Sequence, residues 1–185
     1  QRQMCIRDRY HGDPDFYDVP VSEMLNKEYS KERALTIGNK RSKDGEIYPG
    51  DIKKYDESPD TTHYSIIDSY GNAVSNTYTL GSSFGSGVTV SKGGFLMNNQ
   101  MRNFSHFYGT EENTFGSSEA NRLEPGKRMI STQTPTLVFD KDDNLMMILG
   151  SPGGGRIPNI ITQVISNVID HGLSFTEAVM APRIN

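Results

Sequence analysis

Asp60-Thr61-Thr62-His63 sets two threonines where a polar stretch gives way to a run of β-formers. A threonine hydroxyl is a poor nucleophile until something takes its proton, and a threonine at a chain terminus can use its own α-amine as that base. An α-amine titrates at about 7.7–8.0, close enough to neutrality to serve. Inside a longer chain the amine has to be made by cutting Asp60–Thr61. One route is for the Thr61 hydroxyl to attack the Asp60 carbonyl, giving an ester that water opens. Taken alone, a Thr-Thr pair opening a strand is commonplace and fixes no chemistry. A second hydroxyl-rich stretch, Ser131-Thr132-Gln133-Thr134-Pro135-Thr136, follows Pro125-Gly126-Lys127-Arg128. It could line a polar pocket, although Ser and Thr ahead of a strand usually satisfy local backbone groups. A third, Gly150-Ser151-Pro152-Gly153-Gly154-Gly155-Arg156, is a glycine loop running into a helical pattern. Backbone N–H groups bared at a positive helix end suit an anion or a developing oxyanion. The loop lacks the Gly-Lys-Ser/Thr ending that binds nucleotide phosphates, and by itself it reads as a tight turn.

The elements that must carry these groups follow from period and punctuation. Residues 62–68 (THYSIID) and 73–80 (AVSNTYTL) are rich in β-branched and aromatic side chains, and Gly71-Asn72 between them supplies hairpin chemistry. A glycine-rich loop over 81–87 precedes a short strand around Val88, a Gly93-Gly94 turn and the polar cluster Asn98-Asn99-Gln100. Residues 105–127 read as a long loop. Residues 135–139 and 145–149 make a second hairpin across Lys141-Asp142-Asp143-Asn144. A helix is expected over 156–171, with Ile157, Ile160, Ile161, Val164 and Val168 on its apolar face. Gly172 ends it, and Ser174 caps a last helix through Met180. Upstream, 22–34 reads as a helix capped by Ser22, and 51–60 (DIKKYDESPD) as an exposed linker. The pattern predicts an α+β fold in layers, with too few helices to cover both faces of its sheets.

Composition narrows the class. The chain has 185 residues, a formal net charge of −4 and 34% hydrophobic residues. The 18 glycines bring the apolar share near that of a folded domain, so wholesale disorder is not implied. Mild acidity gives no reason to expect nucleic acid, and no run approaches the length of a membrane span. Cys5 is the only cysteine, and His11, His63, His106 and His171 are scattered, so neither a metal site nor a cofactor is expected. Residues 1–9 (QRQMCIRDR) resemble translated sequencing-adapter sequence and are set aside as a probable non-native leader.

Taken together and in order, TTHYSIID, GNAVSNTYTL, FGSG, NNQM, PGKR, S-x-x-TPT, GSPGG-x-RI and APR resemble the small subunit of γ-glutamyltransferases over residues 61–185. Residues 10–19 (YHGDPDFYDV) resemble the end of that family's large subunit. The resemblance implies an αββα N-terminal-nucleophile hydrolase sandwich, present here only as an incomplete portion. Residues 10–60 would then close the large subunit, and 61–185 would form a small catalytic subunit that breaks off before its end. It implies self-cleavage at Asp60–Thr61, then transfer of a γ-glutamyl group from glutathione or a similar donor to water, an amino acid or a peptide. By motif position Thr61 is the nucleophile, Thr79 hydrogen-bonds it, and Gly153 with Gly154 meets the oxyanion. Gln100 and Asn103 lie at the donor's amino end, and Ser131 and Thr132 at its carboxylate end. A periplasmic or extracellular location and continued association with the chain's own large subunit are implied as well.

Several positions depart from the family pattern. Gly81 stands where Asn is frequent, Thr132 and Gly155 where Ser is usual, and Arg102 and Asn103 where two acids are usual. The nucleophile and oxyanion positions are kept, while those that read the amino-acid head are altered. A glutaryl-cephalosporin-type acylase and a poly-γ-glutamate transpeptidase of the same fold are therefore alternatives. A non-catalytic binding relative is the alternative from another class, and retention of Thr61, Thr79 and the Gly153-Gly154 loop argues against it.

Overall fold

The computed structural model describes residues 10–35, 37–39, 60–105 and 118–184. The expected leader and nearly all of the expected linker lie outside the described residues. Two compact units share the chain: residues 1–55 with 101–130, and 56–100 with 131–185.

In the first unit, α1 (Val21–Met24) and α2 (Lys27–Leu35) replace the single helix expected over 22–34. Asn26 explains the break: its Oδ1 accepts from the backbone N–H groups of Glu28 (2.7 Å) and Tyr29 (3.2 Å), capping a new helix start. Ser22, the expected cap, is inside α1. The buried side chains of this unit include Phe104, Ala120, Asn121 and Asp13. Asn121 donates from Nδ2 to the Asn103 carbonyl (2.7 Å), and its Oδ1 accepts from the Ile130 N–H (3.1 Å).

The second unit carries three antiparallel strand pairs. Strand β1 (Thr61–Ile67) pairs with β2 (Ala73–Thr79), β3 (Thr89–Val90) with β4 (Phe95–Leu96), and β5 (Thr136–Phe139) with β6 (Leu145–Leu149). The two longer hairpins close with the same device. Asp68 Oδ1 accepts from the N–H groups of Tyr70 and Asn72, both at 2.9 Å. Asp140 Oδ1 does the same for Asp142 (2.8 Å) and Asn144 (2.9 Å). In each, the closing Asn returns its own Nδ2 to that Asp, and the residue before it has positive φ, Gly71 at 85° and Asp143 at 60°. The side-chain hydrogen bonds from Asn72 and Asn144 hold the Asp68 and Asp140 carboxyls below the usual range. Both clasps are therefore ionised at neutral pH and loosen only as pH falls through those lowered values.

Helix α3 (Ile157–Ile169) starts from a short 3-10 turn, Gly154–Arg156, and has Pro158 in its first turn. Its buried stripe, Ile157, Ile161 and Val164, meets Met147 and Leu149 of β6 and Ala178 of α4 (Phe175–Met180). Ser174 caps α4, as the sequence predicts, and forms a capping box with Glu177. Ser75 ties the hairpins together: its hydroxyl donates to the Leu149 carbonyl (2.9 Å) and accepts from the Thr136 N–H (3.1 Å).

The β1–β2 hairpin reverses the usual placement of polar and apolar faces. Register puts Thr61 opposite Thr79, His63 opposite Thr77 and Ser65 opposite Ser75 on one face, where Thr77 is buried. The other face holds Tyr64, Ile66, Val74 and Tyr78, all exposed, Tyr78 to 58%. An uncovered apolar sheet face is an association hazard. The 185-residue chain produced by itself will therefore aggregate or bind a hydrophobic dye without a cooperative melting transition. A monodisperse sample with a sharp transition would contradict this.

Candidate active site

Thr61 opens β1 and Thr79 ends β2, and antiparallel pairing brings them opposite one another. The Thr79 hydroxyl donates to the carbonyl of Asp60 (3.1 Å), the residue ahead of Thr61, and accepts from the Gly81 N–H (2.9 Å). Sequence reasoning expected Thr79 to bond the first threonine. The bonds described for its hydroxyl instead join it to the Asp60 carbonyl and the Gly81 N–H. On the other side of Asp60, its carboxylate accepts from the Ser83 hydroxyl (2.6 Å). The peptide ahead of Thr61 is thus held at its carbonyl by Thr79 and at its side chain by Ser83, among other contacts.

The loop that supplies these bonds is built around Gly81, whose φ is +99°. A Cβ at this position would overlap Oδ1 of Asn99. Asn99 fills that space because its amide closes the loop: Oδ1 accepts from the Ser82 N–H (3.0 Å) and Nδ2 donates to the Ser82 hydroxyl (2.9 Å). Ser83 and Asn99 were not singled out as site residues in the sequence. Asn99 stands in the polar cluster Asn98-Asn99-Gln100 and Ser83 in the glycine-rich loop over 81–87, and neither pattern points to a partner. Gln100 follows Asn99, is half-buried and begins a 3-10 turn, Gln100–Asn103. Asn103, at the end of that turn, belongs to the first compact unit.

The glycine loop forms a second cluster. Gly153 has φ 133° and Gly154 φ 57°, backbone that side chains rarely adopt. The Thr132 hydroxyl donates to the Gly154 carbonyl (3.0 Å), joining the hydroxyl-rich stretch to the loop. Ser131 is exposed, and its hydroxyl accepts from the Gln133 N–H (3.3 Å).

His63 anchors β1 against the start of this loop. Its Nδ1 is 2.9 Å from the Thr77 hydroxyl and its Nε2 3.0 Å from that of Ser65. Burial pushes its pKa down, so the neutral ring is favoured. Because the unfolded chain binds that proton more readily, this contribution to stability declines as pH falls through the ordinary histidine range. The ring lies so close to Gly150 that a Cβ there would overlap it. Among the described residues no three His, Cys, Asp or Glu side chains gather as a metal site, and no helix is long and apolar enough to cross a membrane.

Comparison with known proteins gives this geometry its context. The family described as Gamma-glutamyltranspeptidase matches residues 2–185. The glutathione hydrolase proenzyme of Escherichia coli K12 is 44% identical over 182 residues, 97% of this chain and 31% of that protein. The glutathione hydrolase proenzyme of Pseudomonas aeruginosa is 43% identical over all of this chain and 32% of its own length. The chain thus spans about a third of these relatives. The crystallised gamma-glutamyltranspeptidase of Pseudomonas nitroreducens superimposes with a TM-score of 0.60 at 48% identity, covering 67% of this chain and 64% of that one. These likenesses make the class that of an N-terminal-nucleophile hydrolase, with part of its αββα sandwich present. Within that class the chain belongs to the gamma-glutamyltranspeptidase family.

Gly150→Ala forces a Cβ into the space of the His63 ring. Overpacking of this kind costs about 1–3 kcal/mol. The full-length parent should melt lower, and His63→Ser should recover part of the loss in the double variant. Strict additivity of the two changes would show that the ring and Gly150 do not constrain each other.

Proposed function

We propose that the full-length parent is a self-processing enzyme that transfers γ-glutamyl groups through an acyl ester on Thr61. The observation that carries this reading is the grip of Thr79 on the Asp60 carbonyl directly beside Thr61. In the first reaction the Thr61 hydroxyl adds to that carbonyl while Thr79 donates a hydrogen bond to the developing oxyanion. As the intermediate collapses the hydroxyl proton passes to the Thr61 nitrogen and the C–N bond breaks, leaving an Asp60 ester on Thr61 with a free α-amine. Water hydrolyses the ester and separates the two chains. In the second reaction the new amine takes the Thr61 hydroxyl proton as that oxygen attacks a γ-glutamyl carbonyl. Backbone N–H groups at Gly153 and Gly154 stabilise the oxyanion, the donor's amine departs with the proton, and water or an amino acid then takes the acyl group. The relatives named as glutathione hydrolase proenzymes support this reading. So does an acivicin-inhibited gamma-glutamyltranspeptidase of known structure whose C-terminus has critical roles in autoprocessing and catalysis.

On this reading residues 10–60 end the large subunit and residues 61–185 belong to the small one. Glutathione or a related γ-glutamyl amide is the donor, and the periplasm or the cell exterior is the site of action. Thr61→Ala in the full-length parent should remain one chain and be inactive. Thr79→Val, which keeps the volume and removes the donor, should slow cutting by about 10²–10³-fold, whereas Thr79→Ser should cut at a rate near that of the parent. Two bands from purified Thr61→Ala would show that another residue makes the cut.

Asn103 favours a second reading of the donor, supported by the 36% identical acylase ACY 1 proenzyme of Pseudomonas strain SE83. A carboxylate facing a substrate ammonium makes a charge-assisted bond of about 1.5–3 kcal/mol; an amide keeps the shape and gives up the charge. Glutaryl amides should therefore gain on γ-glutamyl amides, and Asn103→Asp should reverse the shift. The comparison is kcat/KM for γ-glutamyl- and glutaryl-p-nitroanilide in the parent and in that variant. A strong γ-glutamyl preference that Asn103→Asp leaves unchanged would assign the amine to another group.

A further inference from the structure

The first compact unit takes its residues from both sides of Asp60–Thr61: residues 1–55 precede that bond, and residues 101–130 follow it. Among the described residues, two short stretches make the join. Asp13, whose side chain is 1% exposed, accepts from the backbone N–H of Arg128 (2.8 Å), from Arg128 Nε (2.9 Å), from Arg128 Nη2 (2.5 Å) and from the Asp15 N–H (3.2 Å). Arg128 Nη2 also reaches the Asp15 carboxylate at 2.6 Å. The bare backbone of Gly12 abuts the Ala120 carbonyl so closely that any Cβ would overlap it. The ammonium of Lys127 lies 5.8 Å from the centre of the Phe16 ring while bonding Glu124 (2.8 Å).

We propose that residues 11–16 and 118–128 form the non-covalent joint that fastens the end of the upstream product to the downstream product once Asp60–Thr61 is cut; this rests on the cleavage reading above. A buried carboxylate persists only if its lone pairs are met, and here one planar guanidinium and two backbone N–H groups meet them. The Arg128 hydrogen bonds hold the Asp13 carboxyl well below the usual range, so the pair stays ionised wherever the enzyme could work. A lysine cannot reproduce the two-pronged contact. The glycine at 12 matters for a separate reason, since it lets two backbones touch.

The test uses the full-length parent carrying Thr61→Ala, with a site-specific protease recognition sequence inserted between residues 44 and 50. Hydrogen exchange of the amides of residues 13–17 is followed before and after cutting with the added protease. The cut parent should keep its protection there. Arg128→Met and Gly12→Val should each lose at least tenfold of it after cutting, and Arg128→Lys should fall between. Asp13→Asn combined with Arg128→Met should lose no more than the worse single change. Arg128 is two-thirds exposed, so Arg128→Met remains informative if Asp13→Asn fails to fold. Full exchange in the cut parent, or parent-like protection in cut Arg128→Met and Gly12→Val, overturns the proposal. Self-cutting of the Thr61 chain is scored separately. Its failure would remove the enzymatic reading while leaving the outcome with the added protease to judge the joint.

Discussion

The neutral ring of His63 seated over Gly150 is the constraint on which the second unit depends. It requires a glycine at 150, a hydroxyl opposite at Thr77 and another two residues on at Ser65. Together with the bonds of Ser75 to both strands of the next hairpin, it makes a polar face the inward one. Buried polar groups are costly unless paired, and here each partner is itself fixed by strand register. The same register sets Thr61 against Thr79 at the open end. The placement of Thr61 against Thr79 is therefore a by-product of the hydrogen-bonded ladder below it.

That arrangement separates two demands that a single apolar core would confuse. Aliphatic packing is left to α3, α4 and β6, where Ile157, Ile161, Val164, Leu149 and Ala178 exclude water. The loop from Gly150 to Gly155 links this packed region to the polar one. Its positive-φ glycines turn the chain without side chains in the way. The Thr132 bond to the Gly154 carbonyl then ties the loop to the stretch ahead of β5.

Much of this was legible in the residues. Strand and helix positions followed from β-branched runs, the 3.6-residue spacing of Ile157, Ile161 and Val164, and the Ser174 cap. The helix over 22–34 was misread because its charge-rich pattern gives no apolar face to count, so a single Asn26 cap decided the matter. Ser83 and Asn99 escaped notice because hydroxyls and amides near glycines have many local partners. Only the fold brings Ser83 to a residue 23 positions away and Asn99 to one 17 positions away. The Asp13–Arg128 pair spans 115 positions and left no periodic trace at all.

The inward polar face also bears on how the chain is made. Ser75 waits for partners 61 and 74 residues further on. At synthesis rates of about 5–20 residues per second, that is a delay of roughly 3 to 15 seconds. A β-hairpin forms within microseconds, so the first one stands on the nascent chain without its neighbour. On the face that awaits this neighbour, hydroxyls and an imidazole stay hydrated during that interval, while the opposite face, with Tyr64, Ile66, Val74 and Tyr78, is exposed throughout. The ring of His63 finds Gly150 only when the later strands arrive, so that contact forms long after the hairpin that carries it.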